Sequence, residues 1–109
     1  KSLEPDEIAV CSIVKAELFY GSQRSQNPQR TLDKQNHFLK AYVSLPFDDI
    51  AAKQYGVIRA YLANQGTPIG PNDLMIASIA IVNDLILVTH NTKEFSRVPL
   101  LKLEDWELA

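Results

Sequence analysis

Apolar residues in this chain occur in short runs and in helical spacings. The runs at residues 8–12 and 85–89 predict buried strands, and the second has no polar alternation, as in a strand covered on both faces. Residues 42–47 predict a short strand that Pro46 restricts to a sheet edge, and residues 100–103 predict another edge strand. Strands separated by helical segments predict an α/β fold with a mainly parallel sheet.

Helical patterns fill the segments between these strands. We expect four helices, over residues 13–22, 31–41, 48–64 and 71–83. Ser12 is placed to cap the first helix, Asp48 starts the third, and Pro71 fits the first position of the fourth. The fourth helix is apolar nearly all round, so we expect it to be central and buried.

Composition limits the protein classes that the chain can belong to. Its 109 residues suffice for one domain, and 46% hydrophobic with 22% charged residues is ordinary for a globular protein. The net charge of -2 indicates no broad basic surface, so any nucleic acid would be bound locally or through a metal ion. The single cysteine, Cys11, excludes an internal disulfide and fits a reducing compartment. No apolar run is long enough to span a membrane. We expect a cytoplasmic protein, which the fit to a reducing compartment favours.

Three residues with oxygen-bearing side chains converge on one edge of the predicted sheet. Glu17 lies just over one turn into the helix that leaves strand 8–12, and Asn91 follows strand 85–89. Asp73 lies in the first turn of the helix that enters strand 85–89, and that turn must lie at the carboxyl edge of a parallel sheet. Oxygen ligands gathered at such an edge suit a hard cation such as Mg²⁺ or Mn²⁺, which can activate water for phosphodiester hydrolysis.

Each of these residues also has a simpler interpretation. Glu17 can be a solvated helix residue, although its apolar neighbours suggest a buried carboxylate that needs a partner. Asp73 can be an acid favoured by the dipole of its helix, and Asn91 can simply form the turn after a strand. His90 lies near the same edge, where a solvated turn is the preferred interpretation.

The segments around these residues resemble the VapC toxins of the PIN-domain ribonuclease family. The matching segments, in chain order, are Val14-Lys15-Ala16-Glu17-Leu18-Phe19-Tyr20-Gly21, Leu45-Pro46-Phe47-Asp48, Gly66-Thr67-Pro68-Ile69-Gly70-Pro71-Asn72-Asp73-Leu74-Met75-Ile76-Ala77, Leu87-Val88-Thr89-His90-Asn91-Thr92-Lys93-Glu94-Phe95 and Leu103-Glu104-Asp105-Trp106. The third segment is the most specific, and the resemblance extends over essentially the whole chain.

This resemblance implies a PIN-like three-layer fold and a metal-dependent endoribonuclease. The family's members use Mg²⁺, are toxins held by a cognate antitoxin, and are commonly homodimers. Glu17 and Asp73 match the family's metal-binding acids. Asn91 matches a position that is often Asp, and its amide offers an oxygen without a charge, which weakens metal affinity.

The resemblance also predicts that residues 1–109 form a single, N-terminally incomplete PIN-like domain. Residues 1–7 suggest the tail of a helix and a loop, and the family's first strand, which carries a principal metal-binding Asp, is expected before them. That strand would lie between strands 8–12 and 85–89, so we expect this chain alone to be inactive and to lack a stable monomer. A catalytically inactive PIN-like module that binds another protein or dimerises is the alternative. A generic doubly wound ligand-binding protein is a weaker one, since no Gly-rich phosphate loop follows any strand.

Overall fold

The computed structural model describes residues 8–105, so the predictions for residues 1–7 lie outside the described part of the chain. The chain divides into two compact units, Lys1–Pro46 (unit 1) and Phe47–Ala109 (unit 2). The elements run in the order β1 (Ala9–Cys11), α1 (Ser12–Gln23), α2 (Pro28–Leu39), β2 (Val43–Leu45), α3 (Asp49–Asn64), α4 (Pro71–Val82), β3 (Ile86–Val88), α5 (Thr92–Phe95) and β4 (Lys102–Glu104). Helices and parallel strands alternate, which confirms the predicted α/β class.

Unit 1 joins a two-stranded parallel ladder to a pair of helices. β1 pairs with β2 in parallel, with Ala9 opposite Val43 and Cys11 opposite Leu45. The connection between the two strands is the helical pair α1 and α2, which pack on each other. A parallel pair requires such a crossover, which agrees with the mainly parallel sheet predicted from the sequence.

Three details of unit 1 differ from the sequence prediction. Ser12 does not cap α1: the cap position belongs to Cys11 without a side-chain bond, and the Ser12 hydroxyl donates instead to the carbonyl of Leu45, 3.3 Å away. α1 ends at Gln23, one residue beyond its predicted end. α2 begins at Pro28, earlier than predicted, because the Asn27 side chain accepts a hydrogen bond from a backbone amide in the first turn of the helix.

Unit 2 is organised around α3 and α4. The Asp48 carboxylate accepts the backbone N–H of Ala51 at 2.9 Å and so caps α3, as predicted. Pro71 occupies the first turn of α4, also as predicted, because proline lacks the N–H that this turn leaves unpaired. Gly66 follows the end of α3 with a φ of 74°, a conformation that glycine adopts without steric cost.

The core of unit 2 lies where these two helices meet the short β3–β4 ladder. Its buried members are Ile58, Leu62, Leu74, Ala77, Phe95 and Val98. The predicted central helix, α4, contributes a run of buried residues through its middle, as its apolar composition indicated. Leu87 of β3 and Leu103 of β4 pack against this cluster from the strands.

The expectation that strand 85–89 is covered on both faces is wrong for the described residues. β3 pairs in parallel with β4, and only Leu87 packs on the core, whereas Ile86 is 50% and Val88 40% exposed. Successive side chains of a strand point to opposite faces, and in unit 2 the core covers one of them.

At the start of the ladder, the Lys102 ammonium lies 2.7 Å from the Asp84 carboxylate and lowers the pKa of Asp84.

We expect Asp48→Ala to destabilise the protein by about 1 kcal/mol, because the first turn of α3 loses its capping acceptor. Thermal or urea unfolding measures the change. Asp49→Ala is the matched control, since Asp49 lies in the same turn without being its cap, and at physiological salt its loss is expected to cost about 0.3 kcal/mol or less through the screened helix dipole. An equal loss in both variants contradicts a specific capping role for Asp48.

Candidate functional site

Unit 2 brings two of the three predicted site residues together. Asp73 lies in the first turn of α4, and Asn91 follows β3 and forms the N-cap position of α5. The Asn91 Nδ2 donates to the Asp73 Oδ2 at 3.3 Å. The topological argument from the sequence, that the start of this helix meets the end of this strand, is confirmed for the pair.

The turn that carries Asn91 is anchored to the neighbouring strand. The backbone N–H of Thr89 donates to the carbonyl of Glu104 at 3.1 Å, which extends the β3–β4 ladder by one bond. The Thr89 hydroxyl accepts the N–H of Asn91 at 3.1 Å, so it fixes the turn internally. Beside it, the Nδ1 of His90 lies 2.9 Å from the Asp105 Oδ1. Three polar contacts therefore hold the backbone that presents the Asn91 amide.

Sequence reasoning missed the contact between His90 and Asp105. The two residues are 15 positions apart, and nothing in the local pattern joins them. Their partnership follows from the parallel register, which aligns the residues just beyond β3 with those just beyond β4. The His90 side chain is 65% exposed, which agrees with the solvated turn preferred from the sequence, and it also contacts Asp105.

Glu17 lies in unit 1, within α1, and is exposed. The inference that its apolar neighbours bury it is wrong: Ala16 is exposed as well, and Leu18 and Tyr20 are 39% and 65% exposed. α1 packs on α2 and β1 through another side, so an apolar neighbourhood in sequence does not make a buried neighbourhood in space. Glu17 stays a predicted site residue, assigned by its position after β1 and by the family match.

The oxygen donors of this site suit a hard cation, and their number within unit 2 is small. Asp73 supplies a carboxylate. When the Asn91 amide rotates by half a turn, its Oδ1 takes the place of Nδ2 beside Asp73 and can serve as an oxygen ligand. Among the side chains of residues 8–105, no three of His, Cys, Asp or Glu form a group that could hold a metal ion. The pair thus fits part of a cation shell and contributes one formal negative charge to it.

Comparison with known proteins identifies the family. The sequence profile of the PIN domain matches residues 1–101. Over 105 residues the chain is 44% identical to the tRNA(fMet)-specific endonuclease VapC of Shigella flexneri, which covers 96% of the chain and 80% of that protein. The chain belongs to the VapC family of PIN-domain proteins. Ribonuclease VapC2 of Rickettsia felis, another member, is 43% identical over 92% of the chain and 75% of its own length.

Solved VapC structures match this fold. The crystal structure of DNA-bound VapBC from Salmonella typhimurium superposes with a TM-score of 0.85 at 43% identity, over 90% of the chain and 74% of that protein. VapBC-1 from nontypeable Haemophilus influenzae gives a TM-score of 0.89 at 34% identity, over 97% of the chain and 79% of that protein. The predicted PIN-like fold of the VapC type is therefore confirmed.

We expect His90→Ala to speed amide hydrogen exchange at Thr89 and Asn91, because the turn loses its contact with Asp105. The change in global stability is expected to be small, about 1 kcal/mol or less, since a polar contact this exposed contributes little. Exchange rates measured by NMR test the prediction, with Lys93→Ala as a control on the neighbouring helix. Unchanged exchange in His90→Ala means that the Thr89 bonds alone hold the turn.

Proposed function

We propose that this VapC-family chain is a metal-dependent endoribonuclease and the toxin of a type II toxin–antitoxin pair. The observation that carries the proposal is the Asp73–Asn91 contact at the start of α4, found in a chain that is 44% identical to a protein named as a tRNA(fMet)-specific endonuclease. Two solved relatives are VapBC structures, which supports a cognate antitoxin as protein partner. RNA as substrate is supported by the relatives named as a tRNA(fMet)-specific endonuclease and as a ribonuclease.

Glu17, Asp73 and Asn91 are the proposed metal-binding and catalytic residues, and Mg²⁺ is the proposed cofactor, with Mn²⁺ as a substitute. Their side-chain oxygens match the ligands that these cations prefer. When bound, the cation supplies Lewis acidity toward a phosphoryl oxygen and favours loss of a proton from water. The chain's own contribution is to hold the carboxylate of Asp73 and the amide of Asn91 in register with the phosphodiester.

We further propose that residues 1–109 have little activity when isolated. The Asp73–Asn91 pair brings a single formal negative charge, and Glu17 adds one more, so the affinity for a divalent cation is expected to be low. The family resemblance implies a further acidic ligand on another strand. The inactive binding module, the alternative considered from the sequence, gains no support of its own from the contacts of residues 8–105.

Several exposed apolar side chains are consistent with a protein partner. Ile50, Val57 and Tyr61 recur at helical spacing on α3 and are 66%, 66% and 45% exposed. Apolar surface of this kind is typical of protein contacts. A homodimer stays a prediction from the resemblance.

None of the helices within residues 8–105 has both the length and the apolar character needed to cross a bilayer. An antitoxin and an RNA substrate fit the cytoplasm, which we propose as the location.

We expect Asp73→Asn and Glu17→Gln to lower RNA cleavage about 100-fold or more, because each removes a charged ligand from a cation that contributes several kcal/mol to catalysis. The assay uses the protein as its gene encodes it, with Mg²⁺ or Mn²⁺ and with an EDTA control. Asp49→Asn serves as the matched variant, since this acid lies in a first helical turn outside the site. Unchanged cleavage by either site variant removes that residue from the assignment, and cleavage in EDTA contradicts metal dependence.

We expect Asn91→Asp to bind Mg²⁺ more tightly and to be less stable without it. A second carboxylate 3.3 Å from Asp73 strengthens attraction to a cation, and in its absence replaces a hydrogen bond with repulsion between like charges. Calorimetric titration gives the affinity, and thermal unfolding with and without Mg²⁺ gives the stability. Equal affinity in the two forms places Asn91 outside the cation shell.

A further inference from the structure

Unit 2 contains an open cavity of about 250 Å³ between the second half of α3, the segment that follows it, and the first turn of α4. Its walls are largely apolar and include Leu62, Ala63, Ile69, Pro71 and Leu74. Among the lining residues in this described part of the chain, Arg59 alone carries a charge. The cavity therefore combines an apolar wall with one cation, a combination suited to a flat apolar group that is attached to an anion.

Arg59 is held in place at this cavity. Its NH1 donates to the Tyr55 hydroxyl at 3.0 Å, and its guanidinium carbon lies 5.8 Å from the centroid of the Tyr55 ring. The Tyr55 ring in turn makes an edge-to-face contact with Phe47 at a centroid distance of 6.0 Å. A guanidinium fixed over a ring keeps its remaining N–H donors for an anion, and its outer face for a flat group that stacks on it.

The cavity wall and the proposed catalytic carboxylate share the first turn of α4. Pro71 and Leu74 line the cavity, and Asp73 lies between them in sequence, about 100° around the helix axis from Leu74, so its carboxylate projects from a neighbouring side of the same turn. An RNA strand with a phosphodiester at Asp73 would bring a neighbouring nucleotide to the cavity. This juxtaposition favours a nucleotide over the apolar side chain of a protein partner as the occupant.

We infer that this cavity is a subsite for one unstacked nucleotide of the RNA substrate, with the base against the apolar wall and the phosphate on Arg59. The inference rests on the proposed ribonuclease function and adds the means by which the strand is held next to the site. Single-stranded RNA is commonly bound by splaying out bases and stacking them on aromatic or guanidinium groups. The walls offer few hydrogen-bonding groups to the base edge, so the subsite contributes affinity with little base preference.

The test measures RNA binding without cleavage. The protein as its gene encodes it is titrated in EDTA into a fluorescent single-stranded RNA of about 12 nucleotides, a length within the usual range of single-strand sites. Ala63→Leu fills the cavity and Arg59→Gln removes its cation. Ala60→Leu and Lys53→Gln make the same changes on exposed positions of α3 outside the cavity. Ala63→Leu and Arg59→Gln are expected to weaken binding about fivefold or more, and the controls less than about twofold.

Small-molecule titrations identify the kind of occupant. In NMR spectra of the unsubstituted protein, adenosine 5′-monophosphate is expected to shift the methyl signals of Ala63, Ile69 and Leu74. The comparison compound is 4-phenylbutyrate, an apolar carboxylate without a base or phosphate, and it is expected to shift them less. This arm needs no substituted protein, so it still decides the matter if Ala63→Leu fails to fold.

Two results overturn the inference. Equal RNA affinity in all four variants shows that the cavity takes no part in substrate binding. Shifts with 4-phenylbutyrate but not with adenosine 5′-monophosphate indicate a site for a side chain of a protein partner. Either result leaves the ribonuclease proposal intact if Asp73→Asn still abolishes cleavage. Loss of the subsite and failure of the proposed function are thereby distinguished.

Discussion

The packing of α3 against α4 is the contact on which the rest of unit 2 depends. Ile58 and Leu62 of α3 and Leu74 and Ala77 of α4 are almost completely buried in one cluster. Burial of these apolar side chains stabilises unit 2. The strands β3 and β4 have three residues each and provide little stability of their own. Because Leu74 is part of this contact, the first turn of α4 is fixed, and with it the position of Asp73 one residue earlier.

The sequence was sufficient to predict the four strands and the four longer helices, though not the four-residue α5, and to place Asp73 and Asn91 at the same edge of the sheet. Both predictions rest on rules that depend on chain connectivity, namely helical spacing and the direction in which a helix must enter a parallel strand. Those rules do not say what lies against a strand. For that reason Ile86 and Val88 were expected to be buried, although only Leu87 between them faces the core.

The wrong predictions for Glu17 and Ser12 have a related physical origin. Glu17 was expected to be buried because its neighbours in sequence are apolar, but α1 packs through a different side and leaves Glu17 exposed. Ser12 had the chemistry of a helix cap, and a carbonyl brought close by the β1–β2 pairing accepts its hydroxyl instead. The His90–Asp105 contact depends likewise on strand register, which a single sequence does not contain. Local chemistry is readable from sequence, whereas competition from distant groups is not.

The neutral amide at Asn91 has a consequence for the order in which this protein matures. Its Nδ2–H donates to Asp73, so the pair is attractive before any cation arrives. Two carboxylates at the same positions would repel each other and oppose this contact until a cation neutralised them. A newly synthesised chain can therefore complete the turn after β3 and the start of α4 without waiting for metal. Formation of the Asp73–Asn91 contact and uptake of the proposed cation are then separate events.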